Sequence, residues 1–319
     1  MTAPAHSTTD APLDLSKWRN VPKYLLIAGG MFVVMGIITV KAQYGKDWGT
    51  PLIKQFGFSW LLAFMFYLSI CLGGLFLVLA HHLFDASWSV PIRRVNEHLA
   101  CLLPWMAGLF IPIALLAPQI YPWMDLLRHG DSDHALVAKY PLFTIPMFYV
   151  VALVCFAIWA LLAYKLRYWS LRQDETGSPE CTYKMRLYSA VGIFLFALTL
   201  TLAAIMWVKA LQHQWFSTMY GVYYFAGSVW LTLATVYVIT VILKRAGPLR
   251  GVVRQEQFYF IGSLLFAFTV FYAYIAFSQY FIIWNANMPE ETFAPGGVSG
   301  WSSSSAISSC RFCHCCEST

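Results

Sequence analysis

Charged residues are scarce in this chain: Asp, Glu, Lys and Arg together make up 11% of its 319 residues. In soluble globular domains about a quarter of the residues are charged, and these residues help to cover the surface. Hydrophobic residues amount to 59%, so a soluble domain of this composition would have too few polar side chains to cover itself. The shortage of charge therefore argues against an ordinary soluble protein and predicts a membrane protein.

The sequence also lacks a repeat at a solenoid period and any loop long enough to fold as a separate domain. Long apolar segments occupy most of it instead, and a helix needs about 20 apolar residues to cross the hydrocarbon core of a bilayer. The chain therefore predicts an all-α, polytopic transmembrane bundle over residues 21–293. Its seven predicted spans are residues 24–40, 56–84, 98–117, 141–166, 187–209, 220–243 and 257–284.

The two ends of the chain differ from the bundle in composition. Residues 1–20 lack the features of a cleaved secretory signal and are predicted to form a flexible cytoplasmic tail. Residues 294–319 are rich in Gly, Ser and Cys. Within them, Cys310, Cys313 and His314 match the spacing of a c-type haem attachment motif. Only three residues follow Cys316, which is too few for a haem domain, so no haem is predicted in this chain.

Lys and Arg are distributed unequally between the two sides of the predicted bundle. Fourteen lie in the N-terminal segment and the 2–3, 4–5 and 6–7 loops: Lys17, Arg19, Lys23, Arg93, Arg94, Lys165, Arg167, Arg172, Lys184, Arg186, Lys244, Arg245, Arg250 and Arg254. Six lie on the opposite side: Lys41, Lys46, Lys54, Arg128, Lys139 and Lys209. The positive-inside rule then predicts a cytoplasmic N-terminus. The same asymmetry accounts for the net charge of +6, so no nucleic-acid partner is predicted.

Small residues and prolines within the spans predict local features of the packing. The glycine pairs at Gly73-Gly74 and Gly29-Gly30 permit close approach of neighbouring helices. Prolines free a backbone carbonyl, so kinks are predicted at Pro104, Pro112 and Pro146 in spans three and four.

Ionisable residues at membrane depth are costly and are therefore candidates for function. The richest group lies between spans two and three and comprises His81, Asp85, Arg93, Arg94 and Glu97. On a helix, the spacing of four between His81 and Asp85 would place both on one face. We expect the five to approach one another at the inner mouth of spans one to four. Two interpretations stay open, an ion-paired loop at the membrane surface and a point of proton uptake from the cytoplasm.

A haem ligand among His81 and His82 is disfavoured, because the sequence places no histidine in the middle of a facing span. On the outer side, His213 begins the approach to span six, and Gln279 and Glu290 lie in or just after span seven; the three are predicted to line one outward-facing pocket or proton exit. The alternative is that Gln279 simply bonds a neighbouring helix. An acidic outer loop is interpreted as solvated, as a docking surface or as a proton exit: Asp125, His129, Asp131, Asp133 and His134. No metal site is predicted there.

Four segments carry a resemblance to a known family. They are QWFSTMYGVYYFAG at 214–227, LLFAFTVFYAYIAFSQY at 264–280, IWNANMPEET at 283–292 and WSVPIRR at 88–94. Together they resemble the smaller NrfD-like, polysulfide-reductase-type membrane subunit of alternative complex III. That complex is a bacterial quinol:cytochrome c oxidoreductase, and the resemblance covers residues 20–293.

The resemblance implies a subunit of the bacterial inner membrane that supports the complex and conducts protons, with a quinol pocket as an alternative role. It implies a larger homologous NrfD-like subunit, an iron–sulfur subunit and c-haem subunits as partners, besides membrane lipid. Electrons would pass from quinol through those partners to a periplasmic carrier or a terminal oxidase. The c-type haems and iron–sulfur clusters would belong to the partner subunits. A stand-alone secondary transporter is the rival hypothesis from another class.

The chain departs from the family pattern in two places. Family members continue into further spans, about ten in all, whereas this chain turns to Gly, Ser and Cys after residue 293, so a truncated or frame-shifted C-terminus is expected. Members also carry acidic residues around the region 207–213, where this chain has Met206 and Gln212. The second departure weakens a proton path through that stretch.

The predicted orientation is tested by a reporter fused after Arg172. Because the 4–5 loop carries part of the positive excess, we expect a cytoplasmic signal from this fusion. A fusion after Arg128, in the 3–4 loop, serves as the matched control and should report the periplasm. The reverse pair of signals would contradict the orientation.

Overall fold

A computed structural model describes residues 20–45, 49–86, 89–129, 134–213, 217–246 and 253–286. The N-terminal tail, Glu290 and the Cys-rich tail lie outside these residues. The helices are α1 (Val21–Tyr44), α2 (Gly49–Phe84), α3 (Val90–Ala100), α4 (Leu103–Ile120), α5 (Pro122–His129), α6 (His134–Ala138), α7 (Ile145–Thr176), α8 (Pro179–Ala203), α9 (Tyr220–Ala246) and α10 (Gln255–Ala286). A π-helical turn, Ala204–Val208, and a 3-10 turn, Lys209–Gln212, extend α8.

Seven helical segments are long and apolar enough to cross a membrane, which confirms the predicted all-α polytopic bundle. Six of them are Val21–Ala42, Leu52–Phe84, Ile145–Thr176, Pro179–Gln212, Tyr220–Arg245 and Gln255–Ile282. The remaining one, Val90–Ile120, consists of α3 and α4 joined at residues 101–102. The protein is therefore a multi-pass membrane protein.

The largest difference from the predicted boundaries lies between spans four and five. A loop was expected at 167–186, but α7 continues to Thr176 and α8 begins at Pro179. The Arg, Gln, Glu and Lys residues of this stretch are good helix formers, so nothing in it ends a helix before Gly177. Gly177 has a left-handed φ of 61°, and the Ser178 hydroxyl accepts a hydrogen bond from the backbone of Glu180 at 3.3 Å. These two residues alone make the turn.

Helix α2 lies at the centre of the bundle. In its most apolar window 72% of the residues are buried, against 6% for α1 and 11% for α10. It packs against α3, α4, α8 and α9, while α7 packs mainly on α8. Helices α1 and α10 therefore lie at the periphery and present large apolar faces to the surroundings.

The glycine pair of α2 permits close approach of the neighbouring helices, as the sequence predicted. A Cβ at Gly73 would lie 2.6 Å from the carbonyl oxygen of Ser228 and would collide with the hydroxyl of Thr232. A Cβ at Gly74 would lie 3.0 Å from the Cβ of Leu99. The pair thus admits α9 on one side and α3 on the other. At Gly29 and Gly30, by contrast, no described atom outside the helix lies within 4 Å.

The prolines behave in two ways. Pro112 lies inside α4, as expected for a kink, whereas Pro104 and Pro146 occupy the first turns of α4 and α7. At those positions the missing N–H has no partner to lose. The expectation that Pro146 interrupts span four was therefore wrong, because the helix begins there.

An aromatic cluster fills the interior between α2, α4, α7 and the π-helical turn. The ring of Trp207 lies 4.8 Å from that of Phe110 and 5.4 Å from that of Phe156, measured between centroids. The hydroxyl of Tyr121 donates to the carbonyl of Trp207 at 2.8 Å. The indole of Trp159 donates to Thr199 at 2.8 Å. Such bonds satisfy polar groups that have no access to water.

Gly73→Ala is expected to lower the stability of the protein, because the added methyl group would push α9 away from α2. Overpacking of this kind costs about 2 kcal/mol. The midpoint of thermal unfolding in lipid nanodiscs measures the effect. Gly30→Ala is the matched control and should leave the midpoint unchanged or raise it, since alanine favours the helix and meets open space. Equal midpoints for the two variants would contradict the close approach.

Candidate functional site

The carboxylate of Glu97 is the centre of a buried ion-pair cluster at the end of the bundle predicted to be cytoplasmic. Its side chain is only 2% exposed. Arg93 approaches it at 3.2 Å and Arg94 at 2.9 Å, both from the preceding turn of α3. Arg167 of α7 approaches at 2.5 Å, and the hydroxyl of Ser170 donates to it at 2.6 Å. Four donors on two helices therefore converge on one carboxylate.

Arg94 extends the cluster toward the surface. Its guanidinium also donates to Ser170 at 3.0 Å and pairs with Asp174, a half-exposed residue one turn further along α7. Asp174 thereby compensates part of the excess positive charge around Glu97. The cluster, defined here as Glu97, Arg93, Arg94, Arg167, Ser170 and Asp174, ties α3 to α7.

The carboxylate of Asp85 does not join this cluster. It pairs with the guanidinium of Arg186 on α8, with one contact at 3.2 Å from Nε. Helix α2 ends at Phe84, and Asp85 adopts a left-handed φ of 49°. The expectation that His81 and Asp85 share one helical face was therefore wrong, because the helix ends between them.

His81 and His82 are buried at the end of α2. The Nδ1 of His81 lies 2.6 Å from the hydroxyl of Ser89, and the two imidazole rings meet edge to face with centroids 4.9 Å apart. The Nε2 of His82 is buried without a hydrogen-bond partner among the described residues. Two adjacent titratable rings therefore lie just beneath the surface of the bundle.

The helices that supply these groups differ from those expected. The cluster and the Asp85–Arg186 pair join α3, α7 and α8, which belong to spans three, four and five. Helix α1 takes no part in the contacts described above. We expected these residues at the inner mouth of spans one to four, but the structure places them at the inner ends of spans two to five. The physical reason is the extension of α7 and α8, which carries their charged ends into the region beside α3.

The structure describes two of the three predicted outer residues, His213 and Gln279, and each has a partner other than the two residues predicted to join it. Gln279 of α10 accepts a hydrogen bond at 3.0 Å from the hydroxyl of Ser217, which precedes α9. The backbone carbonyl of His213 accepts a bond from Lys139. The partner of Gln279 thus lies in the segment that leads into α9 and not in a helix, so the simpler interpretation of a bond to a neighbouring helix is met only in that the segment adjoins α9. The shared pocket with Glu290 stays a prediction, since Glu290 lies outside the described residues.

In the described part of the acidic outer loop, the Nδ1 of His129 lies 2.9 Å from the backbone carbonyl oxygen of Asp125. His129 lies 3.7 Å from the carboxylate of Asp125, and both side chains are well exposed. His134 is exposed at the start of α6, while Asp131 and Asp133 lie outside the described residues. Over the described ranges no group of three or more His, Cys, Asp or Glu side chains is placed to hold a metal ion.

Sequence reasoning identified Arg93, Arg94 and Glu97 and missed Arg167 and Ser170. These two residues lie about 70 positions after Glu97 in the sequence, in a stretch that was predicted to be a loop. A signal was present, because positions 167, 170 and 174 follow the i, i+3, i+7 spacing of one helical face. Extending span four past residue 166 would have placed Arg167, Ser170 and Asp174 on a single polar stripe.

No protein-family model matches the chain, and a comparison with curated proteins finds no match. The resemblance to the respiratory membrane subunit therefore depends on the four sequence segments alone.

Glu97→Gln is expected to destabilise the protein strongly. Removing the carboxylate leaves three guanidinium groups facing one another with only Asp174 to compensate, and breaking a buried ion pair in this way costs about 3–5 kcal/mol. The thermal unfolding midpoint in nanodiscs measures the loss.

Asp174→Asn is the control for this prediction. Its carboxylate is half exposed, so its contribution should be no more than about 1 kcal/mol. If Glu97→Gln and Asp174→Asn lower the midpoint by the same small amount, the cluster does not hold α3 to α7.

Proposed function

We propose that this chain is a membrane subunit of a bacterial respiratory quinol:electron-acceptor oxidoreductase, where it supports the complex and contributes a path for protons. The main support from the sequence is the resemblance of residues 20–293 to the smaller NrfD-like subunit of alternative complex III. The main support from the structure is the buried polar group at one end of the bundle. Its partners would be the larger homologous subunit and the iron–sulfur and c-haem subunits, in the bacterial inner membrane.

The polar groups at this end lie at increasing distances from the end of α2, toward the interior of the bundle. His81 lies near the end of α2 beside Ser89, which precedes α3, and the backbone carbonyl of Asn96 lies 3.3 Å from the Cβ position of Gly74. Gly74 is eight residues before His82, which corresponds to about 12 Å along the helix. The backbone of Asn96 thus lies beside a point of α2 about 12 Å from His82, and the buried side chains of Asn96 and Glu97 extend from this part of α3. Polar side chains below the surface of the bundle are what uptake of protons requires.

Two buried polar atoms in this region could bind water. The Nε2 of His82 and the side-chain oxygen of Asn96 have no partner among the described residues. Buried polar groups of this kind are commonly satisfied by ordered water molecules. Water beside His82 and Asn96 would connect the histidines to the cluster around Glu97.

The peripheral position of α1 and α10 agrees with a subunit in a larger membrane assembly. Their apolar side chains face outward over most of their length. Lipid alone can cover such faces, and so can the spans of a partner subunit. We propose that a partner subunit covers the apolar face of at least one of these two helices.

A secondary transporter is the second candidate, and two broken spans favour it. Span three is interrupted at residues 101–102, and span five changes to π-helical and 3-10 turns at Ala204. Transporters often place broken helices around a central substrate site. A transporter should be stable and active alone, whereas a respiratory subunit should be isolated with its partners.

The proposal is tested by purifying the tagged chain from its native membrane in mild detergent. We expect haem-bearing partners in the same fraction, seen as c-type haem absorbance, together with quinol oxidation. Purification as a single, haem-free species would contradict the proposal and favour a transporter.

The proton path is tested on the purified complex in liposomes. His82→Gln and Asp85→Asn should lower the number of protons translocated per electron more than they lower quinol oxidation. Glu175→Gln is the matched control and should change neither quantity, because Glu175 is an exposed carboxylate near the end of α7 that belongs to neither the Glu97 cluster nor the Asp85–Arg186 pair. Equal loss of both activities, or loss of neither, would assign His82 and Asp85 to structural support.

A further inference from the structure

A cavity of about 220 Å³ opens between α2, the end of span five, α9 and α10. Its lining includes four tyrosines, Tyr220, Tyr223, Tyr224 and Tyr272, with Ser69 and Ser228. The lining residues of α9 belong to its first nine positions, which cover about 12 Å from its start. The cavity therefore lies in the half of the bundle opposite the Glu97 cluster.

The cavity has a flat aromatic wall. The rings of Tyr223 and Tyr272 are stacked at 27° with centroids 4.7 Å apart. Trp230 continues the stack, with its ring 5.7 Å from that of Tyr272 at 21°. Tyr223 and Tyr272 line the cavity, and aromatic rings in a cavity wall can pack against a planar ligand either face to face or edge to face.

The same wall carries a hydrogen-bonding group. The hydroxyls of Tyr223 and Tyr272 are bonded to each other, and either can be the donor. The hydroxyl of Tyr224 is directed elsewhere, since it donates to the carbonyl of Met65 at 3.1 Å. One O–H of the Tyr223–Tyr272 pair is used in this mutual bond, so the pair can offer a ligand one O–H donor and lone-pair acceptors, beside a mostly apolar surface.

The cavity is accessible from the side of the bundle that faces lipid. Leu62 and Phe66 are 45% and 48% exposed and also line it. A lipid-soluble molecule can therefore enter between α2 and α10 without crossing water. The volume suits one substituted ring, because an apolar cavity of about 150 Å³ already binds benzene.

From these four features we propose that the tyrosine cavity binds the ring of one lipid-soluble quinone or quinol. The ring would stack on the Tyr223–Tyr272 wall, its oxygen would bond the hydroxyl pair, and its tail would leave past Leu62. The choice of a quinone as the ring rests on the proposed respiratory function, while the ring-binding site itself rests on the cavity. A phospholipid acyl chain is the competing occupant, but it has no donor or acceptor with which to hydrogen-bond the hydroxyl pair.

The test is photolabelling of the full chain, as purified, in nanodiscs with an azido-substituted benzoquinone that carries a decyl tail. We expect crosslinks within 61–69 of α2 and on the facing turns of α9 and α10, and we expect decylubiquinone to displace the probe. The double variant Tyr223→Phe/Tyr272→Phe should reduce labelling at a fixed probe concentration about tenfold, since one ligand hydrogen bond is lost.

Two further variants keep the result interpretable. Leu62→Trp should block the mouth and reduce labelling without touching the tyrosines, so it remains informative if the double variant folds poorly. Tyr274→Phe is the matched control, because Tyr274 is 65% exposed on the same helix and does not line the cavity. It should label like the unaltered protein.

The outcomes separate this site from the proposed function. Labelling that neither Leu62→Trp nor the double variant reduces would overturn the site, and so would labelling that decylubiquinone does not displace. Haem-bearing partners together with such a result would keep the respiratory function and remove only the cavity. Specific, displaceable labelling of a haem-free chain would keep the cavity and overturn the respiratory function.

Discussion

One buried carboxylate holds the predicted cytoplasmic end of this bundle together. Glu97 is almost inaccessible to solvent, so its charge is tolerable only if donors surround it, and three arginines and a serine do so. Because these donors come from α3 and α7, satisfying the charge also sets the position of two helices that are far apart in sequence. The shape of the inner mouth depends on this requirement.

The rest of the packing follows from a different constraint, which is the close approach of backbones around α2. Gly73 leaves room for the Thr232 hydroxyl, which donates to the carbonyl of Ile70 at 3.0 Å and to that of Ser228 at 2.8 Å. The contact holds α9 against α2, and this position of α9 places Tyr223 against Tyr272 of α10. A small residue in one helix therefore determines where the cavity wall stands.

The two polar regions lie at different levels of α2, which runs from Gly49 to Phe84, and share it as a common element. The Glu97 cluster and the histidines occupy one end, and the tyrosine cavity begins near Ser69, about 7–8 Å beyond Gly74 along the helix. For a subunit of a quinol-oxidising complex, this arrangement would place proton uptake and a lipid-soluble ring on one helix. For a transporter, the same arrangement would have no evident use for the stacked tyrosine wall.

The sequence by itself determined the class of the protein, the seven spans and three members of the ion-pair cluster. These follow from local rules: about 20 apolar residues cross a bilayer, and Arg93, Arg94 and Glu97 are three and four positions apart on one helix. Only the tertiary structure decided that Arg167 completes the cluster, that Asp85 pairs with Arg186 and that four tyrosines enclose a cavity. The physical reason is that these contacts join residues 49 to 101 positions apart. The geometry of these contacts depends on which helices pack together. The hydropathy of a span does not indicate its neighbours, so the sequence pattern could not predict the contacts.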